Sequence, residues 1–192
     1  SRGLGDVYKR QDLYIVKSIV TSELSEQLAD VLNVKVYNVL TGFKYISEIL
    51  NDKSHSKEKL LLAFEESNGY MAKPFVRDKD AIQIVPLIIK YKNLLYANNI
   101  TLKDTLDDIY RTIGHYHSIN LSPVFEGAEG QHKIEEIINS FRNKTIHQVC
   151  GLDVKAIEDY QLGTIENIES GEKDATYCLL YTSDAADERS SV

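Results

Sequence analysis

Leu60 to Asp80 reads LLLAFEESNGYMAKPFVRDKD, and the rest of the chain can be placed around it. Leu60 to Phe64 is an apolar run, short and closely bounded by polar residues, which predicts a buried strand rather than a helix. Glu65, Glu66 and Ser67 follow at once. Asn68-Gly69 then tolerates positive φ and marks a tight turn, so the carboxylates and the hydroxyl are expected at the mouth of a strand. Ligands of α/β folds collect at that end. Arg77 and Lys79 enter further on, beside Asp78 and Asp80, where a long helix is expected to begin. Carboxylate oxygens accept hydrogen bonds from adjacent hydroxyls of a polyol, and a serine adds a third contact. Cations near a helix N-terminus suit a phosphate dianion. A sugar phosphate carries both features. The alternative reading is a strand end with solvated acids and a helix start with ordinary surface charges.

Upstream, Leu13 to Val20 is rich in β-branched residues and predicts a buried strand. Lys17 interrupts it, either snorkelling from the strand end or pointing at an anion. Ser22 to Leu32 has helical spacing, Val34 to Val39 reads as a second strand, and Thr41-Gly42-Phe43-Lys44 leads into a helix carrying Ile46 and Ile49. Locally, Thr41 could be a helix N-cap. Asn51 to Lys59 reads as a surface connection.

Downstream, Ala81 to Tyr96 has too many apolar residues for one narrow face and predicts a largely buried helix, bent at Pro86. Leu102 to Ile113 predicts an amphipathic helix ended by Gly114. His115 and His117 are expected on one face of a strand, without a nearby carboxylate or thiolate to complete a metal shell. Gly130 to Arg142 predicts another helix. Lys144 to Tyr160 reads as a linker and strand, and Gly163 to Tyr177 as too polar to form a core or to order by itself.

The 192 residues suffice for one or two domains with a real core. Hydrophobic residues make up 43% and charged residues 27%, the composition of a folded globular chain. The net charge of −7 argues against nucleic acid or an anionic membrane as a general partner. No run of sequence approaches the length of a membrane span, and no signal peptide is apparent, so a cytoplasmic location is expected. Cys150 and Cys178 suggest neither a disulfide framework nor a zinc site.

The two ends stand apart. A back-translation of Asp6 to Gln11 is GAT GTG TAT AAG AGA CAG, whose reverse complement, read one frame over, encodes Cys-Leu-Leu-Tyr-Thr-Ser, the sequence of Cys178 to Ser183. An inverted repeat of this kind is expected from translated sequencing adapter. Residues 1–11 and 178–192 are therefore read as tails, and the natural chain is expected to continue past both ends.

FEESNGY followed by FVRDKDA resembles the sugar-binding loop of the α-D-phosphohexomutases, the phosphoglucomutase and phosphomannomutase family. The resemblance extends to VKSIVTSEL, LTGFKYISE, TLKDTLDDIYRTIGHY and FEGAEGQHKIEEIINSFR, in the order of the family's third domain. It implies a three-layer α/β/α domain with a mixed sheet of about four strands over 12–143, then a linker and the truncated start of an α+β fourth domain over 144–177. It also implies a parent enzyme that interconverts hexose 1-phosphate and hexose 6-phosphate through a phosphoserine and a hexose 1,6-bisphosphate. The phosphoserine and the Mg2+ ligands would lie in the missing domains 1 and 2 and the phosphate clamp in domain 4, leaving no catalytic or metal-binding residue here. The site residues implied are Thr41, Glu65, Ser67 and Lys79, with Arg77 and Lys17 as further contacts to the sugar phosphate. The double glutamate is similar to that of glucose-selective members. Ala63, Asn68 and Pro86 depart from the family's pattern, and a mannose or pentose phosphate enzyme, or a non-catalytic binding module, are the other readings.

Overall fold

The computed structural model describes residues 12–76, 78–119 and 121–176. The chain divides into two compact units, one ending at residue 120 and the other beginning at Leu121.

The first unit is built on strands β1 (Leu13–Ser18), β2 (Lys35–Val39), β3 (Lys59–Phe64) and β4 (Tyr70–Met71), in the sheet order β2-β1-β3-β4. β1 runs parallel to β2 and to β3, while β4 returns antiparallel to β3 through the predicted turn, where Asn68 takes φ 63°. Helices α1 (Leu24–Val31) and α2 (Phe43–Asp52) make the two parallel crossovers. Alternation along β1 sends Tyr14 and Val16 into a cluster with Phe43 and Ile46 of α2, and Ile15 into another with Ala29 of α1. A helix on each face of a mixed four-stranded sheet is the expected α/β/α sandwich.

Helix α3 (Ile84–Ala97) follows a 3-10 turn at Ala81–Gln83. The expectation of a largely buried helix fails here, because Leu95 is its one buried residue and Ile88 is 51% exposed. Apolar composition creates a demand for a partner surface but does not supply one. Pro86 is the third residue of the helix, in the turn whose N–H groups have no intrahelical partner, so the predicted lost bond and bend do not follow. Helix α4 (Leu102–Ile113) carries start and stop signals in its sequence. Thr101 N–H donates to Asp104 Oδ2 at 2.8 Å and Asp104 N–H to Thr101 Oγ1 at 3.0 Å, and Gly114 ends the helix at φ 91°. His115 and His117 are not on a strand. His115 instead stacks on Tyr110, ring centroids 4.3 Å apart. Asn51 to Lys59 is more structured than a plain connection, since α2 runs to Asp52 and a 3-10 turn covers Lys53–His55.

In the second unit, α5 spans Gly127–Arg142, three residues longer at its start than predicted. The hairpin β5 (Gln148–Val149) to β6 (Leu152–Asp153) turns through Cys150 at φ 51° and Gly151 at φ 79°, the paired positive angles of a tight hairpin turn. Strands β7 (Ala156–Asp159), β8 (Thr164–Asn167) and β9 (Lys173–Ala175) form an antiparallel meander. The expected lack of order over Gly163 to Tyr177 is thereby corrected as far as Thr176. Sequence-local ladders need little core, and Arg142 adds an anchor, donating from Nε to Asp159 Oδ2 at 2.5 Å and from Nη2 to Oδ1 at 2.9 Å. That guanidinium holds the Asp159 carboxyl down at about 2. The tails read at 1–11 and 178–192 lie outside the described residues.

Candidate functional site

Parallel pairing brings the ends of β1, β2 and β3 to one edge of the sheet, with Lys17 opposite Phe64 and Ser18 opposite Val39. The loops after these strands meet there, and the residues after β3 tie them together. Glu65 is 5% exposed, and its Oε1 accepts the Gly42 N–H at 2.8 Å, reaching past β1 to the loop after β2. Glu66 turns to the nearer loop, its Oε2 accepting Ser18 Oγ–H at 2.8 Å and Thr21 Oγ1–H at 3.3 Å. Glu65 N–H donates to Gly69 O at 2.9 Å and closes the turn. Each glutamate of the doublet is thus tied to a different loop.

Gly69 makes the close approach possible. A Cβ there would lie 3.1 Å from Glu65 Oε2, 3.4 Å from Lys79 Cδ and 3.4 Å from Phe43 Cδ2. The Lys79 stem and the Glu65 carboxylate therefore both border Gly69. The backbone behind it is fixed: Asp80 N–H donates to Tyr70 O at 2.7 Å, and Asp80 Oδ1 caps Ile82 N–H at 3.1 Å.

Of the residues singled out in the sequence, Glu65, Lys79 and the loop bearing Thr41 are brought together, with Ser67 exposed on the turn that Glu65 and Gly69 close. Thr41 is exposed and is not the helix cap, since Gly42 occupies that position at φ 120° with no side-chain cap bond. Lys17 goes elsewhere: it is 1% exposed, with Nζ 2.7 Å from Glu26 Oε1 of α1 and donating to Thr21 O at 3.0 Å. Arg77 lies outside the described residues. Sequence reasoning did not assign Glu66, Ser18, Thr21 or the Gly42 amide. The doublet itself was the signal, but its partners depend on strand register.

The chain has relatives among known proteins. The model of the phosphoglucomutase/phosphomannomutase alpha/beta/alpha domain III matches residues 5–113. A phosphoglucomutase of Staphylococcus saprophyticus is 55% identical over 159 residues, which are 82% of this chain and 29% of that protein. A phosphoglucomutase of Staphylococcus aureus is 46% identical over 162 residues, 84% of this chain and again 29% of the relative. The chain thus spans under a third of the length of the curated relatives it matches. With the domain model covering more than half of its residues, and the sandwich and strand-end site in the first unit, the chain belongs to the phosphoglucomutase/phosphomannomutase family.

Proposed function

We propose that this chain supplies sugar-phosphate recognition to a phosphoglucomutase-like enzyme that interconverts hexose 1-phosphate and hexose 6-phosphate, glucose being the favoured sugar. The observation that carries the proposal is Glu65, a buried carboxylate held at one oxygen by the Gly42 N–H, with its other oxygen beside Gly69, which the Lys79 stem also borders. A carboxylate has about four acceptor positions, so one backbone bond fixes its orientation and leaves capacity for vicinal sugar hydroxyls. Ser67 exchanges a hydrogen bond with one hydroxyl in this proposal. Lys79 meets the phosphate as a point charge, and Thr41 closes the other side of the ring. Arg77 is kept as a secondary contact, and Lys17, buried against Glu26, is not. A mutase turns its bisphosphate intermediate between two orientations, and an acceptor that takes hydroxyl pairs serves both.

In this reading 12–143 is the recognition domain, 144–177 leads into a fourth domain, and the phosphoserine lies in a first domain outside this chain. The partners are the sugar phosphate and the remaining domains of a longer chain, with no nucleic acid or membrane, in the cytoplasm. No helix among the described residues is long and apolar enough to cross a membrane. Magnesium would neutralise charge on the transferred phosphoryl group. Among the described residues no three of His, Cys, Asp and Glu gather as a metal shell.

The test is a titration of this chain with glucose 1-phosphate, followed by amide NMR. Shifts are expected at Gly42, Glu65, Ser67, Gly69 and Lys79. Glu65→Gln should weaken binding about 10- to 100-fold, the loss of charged hydrogen bonds, while the side-chain carbonyl still accepts Gly42 N–H. Unchanged affinity would overturn the sugar contact. Turnover of glucose 1-phosphate by this chain alone would overturn recognition without chemistry.

A further inference from the structure

A cavity of about 440 Å3 is lined by residues at the end of β3 opposite to Glu65. Lys59 and Leu60 open β3, Lys53 and Ser54 lie in the 3-10 turn before it, and Lys73 and Pro74 follow β4. Because β4 is antiparallel, the chain after Met71 runs back towards the start of β3. Gln83 fixes it there, its Oε1 accepting Ala72 N–H at 3.1 Å and Lys73 N–H at 2.8 Å.

The charged lining is mostly cationic. Lys53, Lys59 and Lys73 line one cavity in a chain whose net charge is −7. The single carboxylate among them, Glu58, is already engaged: it pairs with Lys35, lies 2.9 Å from Lys53 Nζ and accepts Tyr37 O–H at 3.0 Å. Those lysines, Lys35 before Lys53, hold its carboxyl down at about 2, so it stays an anion that the protein itself neutralises.

Tyr14 is 3% exposed, packs edge-on against Tyr37 at 5.5 Å and lines the cavity. Its hydroxyl has no hydrogen-bond partner among the described residues, yet it is not an oxygen sealed inside protein. A buried donor left without a partner is costly unless something beyond the protein satisfies it. Burial first, and Glu58 second, push this phenol up, so it keeps its proton at neutral pH.

We propose that this cavity is a second anion site, which takes the dianion of a small phosphomonoester on Lys59 and Lys73, with Lys53 shared between the ester and Glu58 and the Tyr14 hydroxyl as a further donor. Lysine ammonium groups meet phosphate as point charges, and hydroxyl donors add direction. The volume exceeds a bare phosphate several-fold and falls in the range of small-molecule pockets. Leu50, Leu60, Pro74 and Val76 give the organic part of the ester an apolar wall.

Phenyl phosphate is the probe, because it has no sugar hydroxyls to offer Glu65. Titrated into this chain, it should shift the amides of Tyr14, Ser54 and Lys73 and leave those of Gly42 and Gly69 in place. Tyr14→Phe should weaken it about tenfold, as loss of a hydrogen bond to a charged acceptor does, without lowering Tm, because the hydroxyl holds no protein partner. Lys73→Glu, at an exposed side chain, should abolish saturation and carries the test if Tyr14→Phe does not fold. Shifts confined to Gly42 and Gly69, no shifts, full affinity in both variants, or inorganic phosphate binding as tightly as the ester would each overturn the proposal.

Discussion

Glu58 and Glu65 flank the same six-residue strand, and their surroundings differ in kind. Glu58 meets two ammonium groups and a phenol, so its charge is cancelled by side chains that remain partly in water. Glu65 is 5% exposed and meets one backbone N–H, with a lysine stem rather than an ammonium group at the Gly69 contact. The first is complete without a ligand. The second is oriented but keeps acceptor capacity. The same residue type serves as a brace where cations surround it and as a receptor where only backbone does.

Both ends lean on α2, and the largest expected effect tests that shared support. Ile46 is fully buried midway along the helix, between Phe43 beside Gly69 and Leu50 and Lys53 at the other end. Ile46→Ala should cost about 2–5 kcal/mol in urea unfolding, with amide shifts at Gly42 and Tyr37 together. A loss below about 1 kcal/mol, or shifts at one end alone, would mean that the two ends are held separately.

Acid should separate the ends next. The Glu58 carboxyl sits at about 2 in the fold against an ordinary 4.5, so its contribution is present above pH 4.5 and disappears as pH falls towards 2. The second unit has a parallel contribution from Asp159, lost between its ordinary 3.8 and about 2. Thermal unfolding at pH 5 and at pH 2.5 should therefore show a smaller acid loss in Glu58→Gln than in the parent chain. Equal losses would remove Glu58 as the brace.

The smallest effect belongs to Gly69→Ala. The new methyl must move Glu65 Oε2 or the Lys79 stem by a few tenths of an ångström. Glucose 1-phosphate binding should weaken a few-fold, while stability changes by less than about 1 kcal/mol. A variant that binds as well as the parent would show that the position of Oε2 is not critical.

Local chemistry made much of this structure readable. The apolar run of β3, the positive φ of Asn68 and the Thr101 and Gly114 ends of α4 are each written within a few residues. What sequence reasoning missed depends on distant partners. Ser18 reaches Glu66 across 48 positions, and Lys17 chooses Glu26 rather than the cleft because α1 packs on its face of β1. The exposure of α3 and the ladder of β8 and β9 were misread for the same reason, since apolar or polar content alone does not say which surface or strand lies opposite.

The glutamate doublet also constrains how this sequence can vary in length. Side chains alternate along a strand, so one residue inserted within β3 would exchange the directions in which Glu65 and Glu66 leave it. Glu65 would then face the Ser18 and Thr21 hydroxyls, and Phe64 would stand at the Gly42 amide. The tether to Gly42 would be lost, although every residue that makes it would still be present. Insertions belong in the connection before Lys59 or beyond Asp80, and the span between them is a ruler of fixed length.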